Sequence, residues 1–155
     1  DNIDVPPAVK VQLTQWCQEA HGTYSVPAQP HDTRKSTLFV DASLQGWGAV
    51  LVTHRQQLFC VGERWDAHHE SGDINELEGA AVREALQALG PALQDSETTD
   101  LAIVVDNTSV AAAIRRGKAD AERLNVALAP ALEQLRRMRC IVTIGYESLR
   151  RGTVT

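Results

Sequence analysis

Phe39-Val40-Asp41-Ala42-Ser43-Leu44-Gln45-Gly46-Trp47-Gly48-Ala49-Val50-Leu51 is the stretch whose reading decides the fold. An apolar burst, Leu38-Phe39-Val40, ends in an acid. A turn-like Ser43-Leu44-Gln45-Gly46 follows, and a second apolar run extends from Trp47 to Val52. Tryptophan, valine and phenylalanine favour strands, and the glycines mark bulges or close backbone approach. The spacing predicts antiparallel strands joined by a short turn, and Leu58-Phe59-Cys60-Val61-Gly62 supplies a third strand beyond polar Thr53 to Gln57.

Downstream the period changes. From Ile74 to Leu89 a stripe of Leu77, Ala81, Ala85 and Ala88, widened by Val82, Leu86 and Leu89, predicts a helix that Gly90-Pro91 ends or kinks. Leu101-Ala102-Ile103-Val104-Val105 is apolar throughout, as a strand buried on both faces requires, and it ends in Asp106-Asn107. A short helix from Ser109 to Arg116 stops at Gly117. A longer one runs from Ala121 to Met138, with Leu124, Leu128, Leu132 and Leu135 on one face and Pro130 as a kink. Cys140 to Ile144 forms a last strand. Three strands, a helix, a strand, two helices and a strand imply an α/β fold: a mixed five-stranded sheet, its first three strands antiparallel, flanked by helices.

Upstream, Val9, Leu13, Trp16, Cys17 and Ala20 form one helical face within Val5 to Ala20, with Asp4 as N-cap and proline in the first turn. Gly22 to Thr37 has no usable period and reads as a linker, so residues 1–37 are an appendage and 38–155 the main domain. The 155 residues are 43% hydrophobic and 23% charged, which argues against disorder. No apolar run approaches a membrane span and the first residues are not a signal peptide. Cys17, Cys60 and Cys140 fit neither a disulfide framework nor zinc spacing, so they read as reduced, mostly buried thiols in an intracellular protein. Fifteen Lys+Arg against 20 Asp+Glu give a net charge of −5, which argues against a free-standing nonspecific nucleic-acid binder.

Three acids occupy telling places. Asp41 lies in or at the end of the first strand, Glu76 in the first turn of the first main helix, and Asp106 at the end of the fourth strand, where open α/β sheets build their sites. Convergent carboxylates are hard oxygen ligands suited to Mg²⁺ or Mn²⁺. Each also has a plainer reading. Asp73 with Glu76 is a D-x-x-E capping box, Asp106 can cap the following helix, and Asp41 can begin a turn.

Read together, these segments resemble a family. Phe39 to Leu51 resembles the first strand and hairpin of ribonuclease H domains in retroelement and pararetrovirus reverse transcriptases. Asn75-Glu76-Leu77-Glu78-Gly79-Ala80-Ala81-Val82 resembles their E-L-x-A-x helix, and Val104-Val105-Asp106-Asn107-Thr108-Ser109-Val110 their DN-x-x-V segment. The resemblance runs from Leu38 to Ser148 and implies a ribonuclease H-like fold. It also implies metal-dependent cleavage of the RNA strand of RNA–DNA hybrids, with Asp41, Glu76 and Asp106 as the catalytic, metal-holding acids. The cofactor would be Mg²⁺ or Mn²⁺, as two ions if a fourth ligand is supplied. That fourth carboxylate follows the family's last strand. Here Tyr146-Glu147-Ser148 matches the start of its segment, while Leu149 to Thr155 holds no acid, so the domain is expected to lack the final helix. The alternative is an inactive ribonuclease H-like scaffold within a larger nucleoprotein assembly.

Ser43, Asn107, Arg115, Arg116 and Lys118 are the candidate contacts to nucleic acid. The arginines equally complement a helix C-terminus. His68-His69-Glu70 reads as a solvated loop rather than a metal site, and Trp47 and Trp65 as packing residues. The acidic balance implies that a polymerase or connection domain, or a larger assembly, does most of the substrate holding.

Overall fold

A computed structural model describes residues 33–66 and 73–146 of the chain. The expected helix at Val5 to Ala20, the His68-His69-Glu70 loop and the tail from Glu147 onward lie outside the described residues.

In chain order the elements are β1 (Lys35–Ala42), β2 (Gly46–Val52), β3 (Leu58–Arg64), α1 (Ile74–Asp95), β4 (Asp100–Val105), α2 (Thr108–Arg116), α3 (Glu122–Met138) and β5 (Ile141–Tyr146). The strands form one sheet in the order β3-β2-β1-β4-β5. β1 pairs antiparallel with β2, and β2 with β3. β4 runs parallel to both β1 and β5. The fold is therefore the mixed five-stranded α/β architecture that the order of apolar segments implies.

Alternation along the strands divides the sheet cleanly. Leu38, Val40 and Ala42 stand opposite Leu51, Ala49 and Trp47, and beside Ile103 and Val105 of β4. All of them join one core with Leu77, Val82, Ala85 and Leu89 of α1, Val110 and Ile114 of α2, and Leu124, Leu128 and Leu135 of α3. The three described helices thus share one face of the sheet. Trp47 and Trp65 are buried there as packing residues, and the Trp65 indole N–H donates to the Ser43 carbonyl at 2.8 Å.

Two boundaries differ from the sequence reading. β1 begins at Lys35 rather than Leu38, because Lys35 and Thr37 find partners in Asp100 and Val52. α1 continues through Gly90-Pro91 to Asp95, because the turn beyond the proline buries Leu93 in the core. Burial outweighs the one backbone donor that proline removes. The Gln134 side chain donates to the Leu86 carbonyl at 2.7 Å one turn earlier, tying α3 to α1 where the helix is weakest. The reading of mostly buried cysteines is also corrected: Cys60 is exposed and Cys140 half-buried. Cys60 lies on edge strand β3, on the face away from the helices.

Candidate active site

β1 and β4 are parallel neighbours from which the chain departs in opposite directions, β1 into the hairpin with β2 and β4 into α2. The gap at their C-terminal ends is the switch point where open α/β sheets bind ligands. The parallel register ends at Val40 beside Val105, so Asp41 and Asp106 are the next residues on the two strands. Neighbouring strands lie about 4.8 Å apart, so two acids leave the sheet side by side. Asp41 is 2% exposed, and its antiparallel partner is Gly48. Asp106 is half-buried. Alternation sets Asp41 on the same face as Phe39, away from the helices.

The plainer reading of Asp106 does not hold. Asn107 is the N-cap of α2, its Oδ1 accepting the Val110 N–H at 3.0 Å. Its Nδ2 donates to Asn75 Oδ1 at 2.8 Å, which ties the first turn of α1 to the end of β4. The start of α1 is thereby fixed at the end of the sheet that carries Asp41 and Asp106.

Within that first turn the two glutamates behave differently. Asp73 caps α1 by accepting the Glu76 N–H at 2.9 Å, which is the Asp73 half of the expected capping box. The Glu76 carboxylate is 33% exposed and lies 3.9 Å from the Arg123 guanidinium. Glu78 is two residues on, about 200° around the helix, and is 4% exposed. It shares a stripe with Val82, Ala85 and Leu89, which pack on the sheet. A carboxylate is costly to hold in such a stripe. The sequence signal for Glu78 was its i+4, i+7 and i+11 spacing to those apolar residues.

Among the described residues no group of three or more His, Cys, Asp and Glu side chains is gathered closely enough to hold a metal ion. The donors at this end of the sheet are nonetheless carboxylate oxygens, the chemistry that Mg²⁺ and Mn²⁺ select.

Of the remaining candidates, Ser43 follows Asp41 at this end, and the basic residues lie at the C-terminal end of α2. The Ser43 hydroxyl accepts the N–H groups of Gln45 and Gly46 at 3.1 and 3.3 Å, which shapes the β1–β2 turn. Arg115, Arg116 and Lys118 cluster at the end of α2, where both arginines are exposed, and Arg116 lies 3.4 Å from Asp120. Along α2, between the starts of α1 and α3, a hollow of about 390 Å³ is lined by Asn75, Thr108, Ser109, Arg116 and Asp120. Sequence reasoning passed over Asn75, Thr108 and Ser109 as site residues. Hollows of about 610 and 690 Å³ lie toward the other end of α1, against Met138 and Cys140 and against β3 respectively.

Sheet order, mixed strand directions and the acids at the switch point define a ribonuclease H-like fold. Solved structures of this class are similar to it. The N-terminal RNase H domain of Rv2228c from Mycobacterium tuberculosis, solved as a maltose-binding-protein fusion, aligns with a TM-score of 0.56 and 17% identity over 77% of this chain and 91% of that one. RNase H1 from the halophilic archaeon Halobacterium salinarum aligns with a TM-score of 0.56 and 16% identity over 78% and 89%. A foamy viral protease-reverse transcriptase, solved with an RNA/DNA hybrid, aligns over 96% of this chain but only 20% of its own, with a TM-score of 0.51 and 12% identity. No protein-family model and no curated protein matches the chain.

Proposed function

We propose that this chain is a ribonuclease H-type domain that cleaves the RNA strand of RNA–DNA hybrids, with Asp41, Asp106 and Glu78 as its acids. The observation that carries the reading is the pairing of Asp41 and Asp106 at the switch point of a ribonuclease H-like sheet. Glu78 takes the part first expected of Glu76, because Glu76 faces Arg123 on the flank of α1 while Glu78 occupies the buried face. These carboxylates would hold Mg²⁺ or Mn²⁺, which when bound activates water and stabilises the leaving oxygen of a phosphodiester.

The chain's own residues orient the substrate. Asn107 sets the start of α2 against α1, and the hollow beside it offers the Asn75 amide, the Thr108 and Ser109 hydroxyls and the Arg116 guanidinium to a backbone phosphate, which would displace the Asp120 carboxylate now 3.4 Å from Arg116. Arg115 and Lys118 add positive charge at the C-terminal end of α2. Choice of RNA rests on 2′-hydroxyl contacts across the minor groove. A net charge of −5 leaves affinity for the hybrid weak and salt-sensitive, which fits a domain of a larger, reverse-transcriptase-type protein.

The test is cleavage of a labelled hybrid with Mg²⁺ or Mn²⁺. Asp41→Asn and Glu78→Gln are expected to lose at least about 100-fold, the scale of losing a charge-stabilising group, and Glu76→Gln to stay within a few-fold. Undiminished cleavage by Asp41→Asn overturns the reading. The second reading, an inactive scaffold, draws on the same net charge of −5, which opposes a polyanionic substrate. Raised thermal stability on Mn²⁺ titration together with turnover favours the enzyme, and neither effect favours the scaffold.

A further inference from the structure

The C-terminal parts of α2 and α3 meet beside edge strand β5 around a hollow of about 240 Å³. Its floor is aliphatic, built from Ile114 of α2, Leu132 and Leu135 of α3, and Val142 of β5. Most core side chains are 0–2% exposed, whereas Ile114, Leu132 and Leu135 reach 7%, 6% and 8% because they open onto this hollow. The rim is cationic. Arg136 lines the hollow, Arg116 and Lys118 flank its Gly117, and Arg139 precedes its Cys140. Arg116 pairs with Asp120 at 3.4 Å, and Arg136 with Glu133 at 3.2 Å, an acid it shares with Arg137. Lys118 and Arg139 are exposed and make no ion pair with any described residue. Arg139 also caps α3 at φ 54°, a left-handed backbone that glycine adopts at less cost and that α2 gives to Gly117. We propose that this face docks a protein partner through an acidic segment that inserts one large apolar side chain into the hollow.

Volume, charge and floor chemistry select that occupant. Small-molecule sites run to about 300–1,000 Å³, so a hollow of about 240 Å³ suits a single side chain rather than a whole ligand. The rim is positive in a chain of net charge −5, so an acidic segment is drawn to this face and repelled by the rest of the surface. Phosphates that bind the rim would leave the aliphatic floor unused, whereas an apolar anchor ringed by charge is the energetic centre of a protein interface. Docking here uses none of the acids at the switch point.

The test uses the full chain and two short labelled peptides of aspartate and glutamate, one with a central leucine and one with alanine in its place, followed by fluorescence anisotropy. The leucine peptide is expected to bind at least about tenfold tighter, the scale of burying one such side chain. Val142→Phe, which fills the hollow from β5, is expected to bring the two peptides within about twofold of one another. Arg139→Gly is expected to weaken both peptides about two- to fivefold without lowering Tm, whereas Arg55→Ala, which removes an exposed cation at the β2–β3 hairpin, changes neither. If Val142→Phe does not fold, the two peptides and Arg139→Gly carry the comparison. Equal binding of the two peptides, no binding up to about 1 mM, or an Arg139→Gly effect no larger than that of Arg55→Ala overturns the proposal. So does an RNA–DNA hybrid whose affinity falls with Val142→Phe as the leucine peptide's does. Binding that weakens as the chain is concentrated, as for a face covered by a second copy, or that appears only once residues 147–155 are removed, overturns it as well.

Discussion

Gly79→Ala probes the packing of α1 against α3. A methyl group there would stand 2.7 Å from Leu124 Cδ1, 3.3 Å from Leu128 Cγ and 3.6 Å from Ala127 Cβ. Ordinary contact begins at 3.4 Å, so Leu124 must withdraw by about 0.7 Å (3.4 − 2.7). Leu124 is 5% exposed and Leu128 0%, so neither retreats into solvent. Two effects oppose one another. Alanine improves an interior helix position by about 1 kcal/mol, while overpacking a dense core costs about 1–3 kcal/mol. Overpacking wins, with a net loss of about 1 kcal/mol and a fall in Tm of about 4 °C for a domain of this size. Thermal unfolding followed by circular dichroism measures it. The diagnostic step is a double-mutant cycle with Leu124→Ala, which alone costs about 2–4 kcal/mol by opening a cavity. In that background the methyl has space, so Gly79→Ala becomes neutral or stabilising, with a coupling of about 1–2 kcal/mol. Strict additivity, or a higher Tm for Gly79→Ala alone, refutes the reasoning.

Asn107 has two jobs that substitution separates. Asn107→Ala loses the cap of α2 and costs about 1 kcal/mol, whereas Asn107→Asp keeps the cap but loses the donor to Asn75, so urea unfolding should change little while hybrid cleavage falls. Gly117 ends α2 at φ 80° with nothing within 4 Å of an added methyl, so Gly117→Ala should cost about 1 kcal/mol by backbone strain alone, and Gly117→Asn less. Burial, then the neighbouring Asp100 carboxylate, raises the Cys140 thiol above its ordinary value of 9.0. The native state therefore keeps this proton where the unfolded chain has lost it. The associated stability is present below pH 9 and is lost as pH rises through the native value. Thiol labelling near pH 8 should modify Cys60 before Cys140, and the pH profile of Cys140 should lie to the alkaline side.

Local chemistry explains what could be read early. Short apolar runs bounded by turns at 38–52 and 58–62, the continuous apolar 101–105 and the leucine spacing of α3 each carry enough pattern to name their element, and the acids at 41 and 106 stand out because each ends an apolar run. The N-cap at Asp73 was equally legible, since a cap depends only on residues three apart. Pro91 misled because a breaker acts locally while the burial of Leu93 is decided by the sheet.

By itself the sequence determined the element order, the mixed sheet it implies, and the positions of Asp41 and Asp106, because apolar runs, turn residues and helical period are properties of neighbouring residues. Only the tertiary structure decided that these two acids end adjacent parallel strands, that Asn107 rather than Asp106 caps α2, and that Glu78 rather than Glu76 enters the buried face of α1. Those outcomes turn on strand register between segments far apart in the chain and on which arc of a helix meets the sheet. Both are settled by packing, which no local pattern contains.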